Sequence, residues 1–78
     1  MEKATSYQIR VLGELDKKWS DRLGGMSITI NRQDKQESVT ILVGTLRDQA
    51  ALAGVLCTLY ELHYPVLSVQ RLKKYNGR

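Results

Sequence analysis

Four stretches of the chain alternate apolar and polar residues, and two others repeat at helical spacing. Tyr7 to Leu15 (YQIRVLGEL) places Ile9, Val11 and Leu15 on one side and Gln8, Arg10 and Glu14 on the other. Period two with β-branched residues predicts a strand with one buried face. Met26 to Asn31 and Ser38 to Gly44 alternate in the same way across the polar stretch 32–37, which predicts a β-hairpin. Val66 to Leu72 predicts a last strand.

Helical signals separate these strands. Asp16 is placed to cap a short helix over Lys17 to Leu23, whose Trp19 and Leu23 share a face. Gly24-Gly25 ends it, because glycine adopts the left-handed backbone that a helix end often uses. Thr45-x-x-Asp48 is a loose capping box, and a long helix is expected from about Leu46 to Leu62, limited by Pro65. Leu52, Val55, Leu56, Leu59 and Leu62 form the stripe that would pack on the sheet.

The order β-α-β-β-α-β gives the expected fold class: α+β, a ferredoxin-like sandwich of a four-stranded antiparallel sheet with two helices on one face. Ile9, Val11, Met26, Ile28, Ile30, Val39, Ile41, Val43, Leu67 and Val69 are expected to face the helices. Leu12, Thr40 and Leu42 are expected to face outward with Gln8, Arg10 and Glu14. Residues 7–72 would form the single domain, with a flexible N-terminus over 1–6 and a basic tail over 73–78.

Several motifs resemble those of a widespread group of small uncharacterised prokaryotic proteins. They are Gly13, Trp19-Ser20-Asp21, Gly25-Met26, Gly44, Asp48-Gln49-Ala50-Ala51-Leu52 and Pro65-Val66-Leu67-Ser68-Val69. The resemblance spans about residues 7–72, and Asp-Gln-Ala-Ala-Leu is its most specific part. Thr45 stands where the group usually has proline, and Ala53 where histidine is common. The resemblance supports the order of elements and implies no activity.

Composition narrows the function classes. Seventy-eight residues make one domain, and chains of this size bury only roughly 60% of the surface their unfolded state exposes. A lone cysteine, Cys57, allows no internal disulfide, which fits a reducing, cytoplasmic setting. No apolar stretch approaches the ~20 residues of a membrane span, so no membrane association is expected. The net charge of +4 arises wholly from Arg71, Lys73, Lys74 and Arg78, since residues 1–70 carry equal numbers of acidic and basic groups. The basic end is read as solubilising, or as a weak polyanion contact through Arg71, Lys73 and Lys74.

Catalytic and cofactor chemistry find no support. Cys57 and His63 lie six positions apart on one helix, roughly 240° around its axis, and the chain has no second histidine to serve as base. One cysteine and one histidine are too few for a structural zinc site. The glycines form neither a dinucleotide fingerprint nor a phosphate loop. The expected outward residues of the central strands include no aromatic on which a base would stack, which argues against RNA binding on the sheet face. No enzyme activity and no cofactor are expected.

Three surfaces stay open. The long helix carries a second, small-residue ridge of Ala50, Ala53, Gly54 and Cys57, framed by Leu46 and Tyr60. Either the short helix covers it, or a second copy or another protein does. The sheet, through its open face with Arg10, Leu12 and Leu42 or through its strand edges, offers a second contact. The loop from Gly13 to Lys18 is the candidate site of a regulatory small-ligand domain, a reading that rests on fold analogy alone. The expected function is a non-catalytic interaction module, homodimeric or bound to another protein, with regulatory small-ligand binding as one alternative and weak nucleic-acid binding through the basic C-terminal tail as another.

Overall fold

The computed structural model describes residues 4–32 and 37–72. Strands β1 (Thr5–Leu12), β2 (Ser27–Asn31), β3 (Val39–Leu46) and β4 (Val66–Leu72) form one sheet in the order β2-β3-β1-β4. Every neighbouring pair is antiparallel. A 3-10 helix, Lys17–Leu23, connects β1 to β2, and the α-helix α1, Gln49–Glu61, connects β3 to β4. The chain is an α+β domain, as its pattern predicts.

Local chemistry sets the element ends. Asp16 accepts a hydrogen bond from the Lys18 amide and caps the 3-10 helix, while Gly24 ends it at φ 70°. Asp48 is the N-cap of α1 and accepts from the Ala51 amide at 2.8 Å. The long helix therefore begins at Gln49, and Leu46 completes β3; the expected start near Leu46 is wrong because the cap is Asp48. Likewise β1 spans Thr5–Leu12, not 7–15: it begins inside the stretch expected to be a flexible end, and Glu14 and Leu15 lie in the following loop.

The C-terminus of α1 is a Schellman motif built without glycine. The His63 amide donates to the Tyr60 carbonyl at 3.0 Å and the Tyr64 amide to the Leu59 carbonyl at 3.0 Å. His63 holds the left-handed conformation at φ 67° that this motif demands.

One core joins both helices to one sheet face. Ile9 and Val11, Ile28, Leu42 and Leu46 meet Leu15, Leu23, Met26, Val55 and Leu59 in a single buried cluster. Leu52, Leu56 and Leu62 pack at its rim, so the stripe read from the helix is the one that is buried.

The face of β3 is opposite to the expected one. Residues paired directly across an antiparallel ladder point to the same side. Leu42 pairs with both Ile9 and Ile28, and Thr40 pairs with Val11. Leu42 and Thr40 are therefore buried, while Val39, Ile41 and Val43 turn to the outer face beside Leu12, Arg10 and Gln8. Gly44 shares the inner face; a Cβ there would lie 3.0 Å from the Met26 Cα and press on its backbone. On β4, Val69 continues the inner row from Ile9 but stays 42% exposed, and Leu67 sits at a register shift and is 47% exposed.

Candidate interaction surface

Polar side chains in this domain are engaged mainly in fastening its loops. Thr40 Oγ1 donates to the Gly13 carbonyl at 2.6 Å and accepts from the Leu15 amide at 3.0 Å. The Gly13 amide donates to the Ser38 carbonyl at 2.7 Å. Tyr64 Oη donates to the Glu14 carbonyl at 2.9 Å, tying the end of α1 to the same loop. Arg32 reaches the Glu14 carboxylate through Nε at 2.8 Å and Nη2 at 3.1 Å, and Ser38 Oγ adds a third bond at 2.8 Å. The hydrogen bonds from Arg32 and then Ser38 hold Glu14 below the usual carboxylate range. The loop proposed as a ligand site is thus occupied by contacts within the chain.

The remaining chemical candidates are dispersed. Cys57 is exposed on α1, and His63 is exposed beyond its end in a role set by backbone geometry. Among the described residues no group of three or more His, Cys, Asp or Glu is placed to share a metal ion. Trp19 is half-buried against the core, with Lys18 Nζ 5.9 Å and Arg22 Cζ 5.7 Å from its ring centroid. It anchors the 3-10 helix, with both cations within cation–π range of its ring. Among the described residues no helix is long and apolar enough to cross a membrane.

The ridge on α1 is mostly open. Ala50, Ala53, Gly54, Cys57 and Tyr60 are all exposed, and a Cβ built on Gly54 would meet nothing within 4 Å. The 3-10 helix therefore does not cover it. Leu46 does not belong to the ridge: it is 2% exposed, lies on β3 and fills the core beneath Gly24. On the sheet, Arg10 and Leu12 do share the outer face, but Leu42 is inside. On that face Arg10 pairs with Ile41 and Gln8 with Val43, two apolar residues that sequence reasoning placed in the core. Arg71 is exposed on β4; Lys73 and Lys74 lie outside the described residues.

One group was missed. The exposed large apolar side chains among the described residues are Val43, Tyr60, Val66, Leu67 and Val69, and three of the five stand on β4. Alternation alone assigns Leu67 and Val69 to the core. The signal that corrects this is topological: β4 is an outer strand of the sheet, with a neighbouring strand on one side only.

Residues 6–70 match a family model described as a domain of unknown function, DUF8691. No curated protein and no solved structure gives a significant match.

Proposed function

We propose that this chain, which belongs to the DUF8691 family of domains of unknown function, is a non-catalytic interaction module that associates with itself. The observation that carries this reading is the exposure of three large apolar side chains on one strand, Val66, Leu67 and Val69 of β4, at 40%, 47% and 42%, with Tyr60 of α1 exposed at 82%. A small domain gains most from covering such residues, since its own core is thin. The internal use of Glu14, Arg32, Ser38, Thr40 and Tyr64 supports a structural rather than catalytic employment of its polar groups.

The fold we assign to this module is the ferredoxin-like sandwich. The order β2-β3-β1-β4 with antiparallel neighbours supports it, because β3 inserts between the strands joined by the first crossover, as in a split β-α-β unit. An exposed, unpaired Cys57 supports a reducing, cytoplasmic location.

Light scattering coupled to size exclusion across a dilution series tests the reading. The expected mass at high concentration is twice 8.9 kDa. A single-chain mass at every concentration overturns self-association.

A further inference from the structure

The two edges of the sheet are built differently. β2 is five residues long, exposes Ser27, Thr29 and Asn31, and has the 3-10 helix packed against it. Short, polar and covered strands are how a sheet discourages pairing at its edge. β4 is seven residues long and carries Val66, Leu67 and Val69 exposed. Its pairing with β1 is in regular register from Ser68 to Leu72, and the single shift lies between that stretch and Val66. Alternate backbone groups of an outer strand point away from the sheet, a template on which another extended strand can pair.

Resting on the self-association reading above, we infer that β4 pairs antiparallel with β4 of a second copy, about a two-fold axis at Val69. This register extends an apolar row already present. Ile28, Leu42, Ile9 and Val69 are successive partners across the sheet, and Val69 of the second copy continues the row into its own Ile9, Leu42 and Ile28. Charge disfavours the neighbouring register centred on Gln70. Centred on Val69, Arg71 faces Leu67 of the second copy, and the two Arg71 Cα atoms stand four residues apart along the strand, about 13 Å. Centred on Gln70 they stand two residues apart, about 7 Å, within the ~10 Å screening length at 0.1 M salt. The inner faces of both copies then lie on one side of a continuous eight-stranded sheet, which brings the two α1 helices to that same side.

Cysteine cross-linking reads the register directly. In a Cys57→Ser background, Val69→Cys places two thiols directly opposite, with Cα atoms about 4.5–5.5 Å apart, inside the range of a disulfide. Under mild oxidation Val69→Cys is expected to form a covalent dimer essentially completely, while Val43→Cys, exposed on the outer face of β3, stays single-chain over the same time. Val69→Lys in the otherwise native chain is expected to reduce the mass from twice 8.9 kDa to 8.9 kDa with unchanged far-ultraviolet circular dichroism. If Val69→Lys fails to fold, the cross-linking comparison decides alone. A native dimer in which Val69→Cys links no faster than Val43→Cys overturns the edge pairing and leaves self-association standing. A native chain that is monomeric throughout overturns both.

Discussion

Thr40 and Gly13, 27 positions apart in the chain, are joined by a 2.6 Å hydrogen bond from the threonine hydroxyl to the glycine carbonyl. The same hydroxyl accepts the Leu15 amide, so a fully buried side chain satisfies both ends of the loop that leaves β1. Thr40→Val keeps the shape and leaves both backbone groups without this partner. The expected cost is about 1–3 kcal/mol. Urea denaturation checks it: the midpoint falls while the slope with denaturant stays constant. An unchanged midpoint sinks this account of Thr40.

The Glu14 carboxylate contributes stability with a definite pH sense. Its folded pKa is depressed by the hydrogen bonds from Arg32 and Ser38. The contribution is therefore present above the unfolded value, about 4.3, and is lost as pH falls through the lower folded value. Glu14→Gln is expected to melt below the native chain at pH 7 and to approach it as the pH is lowered below about 4. Thermal melts of both chains across pH 2–7 decide this. A gap that stays constant with pH would falsify the role assigned to the carboxylate charge.

His63 occupies a backbone conformation that glycine adopts without strain. His63→Gly retains the two amide bonds of the helix end and removes the penalty of a side chain at positive φ. Part of the gain is offset by the greater freedom of glycine in the unfolded chain, leaving a net stabilisation of about 0.5–1 kcal/mol. A melting temperature that drops shows that the histidine ring has a favourable contact outweighing the strain.

Two glycines predict opposite responses to the same change. Gly44→Ala forces its new methyl to 3.0 Å from the Met26 backbone and is expected to destabilise by about 1–3 kcal/mol. Gly54→Ala enters open space within α1 and is expected to stabilise by up to about 1 kcal/mol, the difference in helix propensity. Parallel denaturation of both variants checks the pair. Equal effects, of either sign, contradict the packing described.

How much of this is legible in the sequence depends on how far each signal reaches along the chain. Local ones are sound: Asp16, Gly24 and the α1 stripe each act within a few residues and lie where their spacing says. The face of β3 is not local. Val39-Thr40-Ile41-Leu42-Val43-Gly44-Thr45-Leu46 carries apolar residues at both phases, and β-branched residues favour the wrong one. Pairing of Leu42 with Ile9 and Ile28 settles the choice, and that contact spans more than thirty positions on one side. Extending the strand to Leu46 would have put Leu42 and Leu46 in one phase, but the capping signal at Thr45 truncated it. The exposure of Val69 is likewise invisible locally, because it follows from strand order.

The place of β1 between β3 and β4 governs how the chain can be made. β1 gains its β4 neighbour only when residues 66–72 are available, and Leu12 is bonded through its amide to the Pro65 carbonyl. A growing chain lacking that last strand holds β1 with one side unpaired and the inner row incomplete at Val69. Contacts this distant in sequence slow folding relative to helical bundles of equal size. The strand that completes the pairing of β1 is therefore the same strand that stands at the edge of the finished sheet.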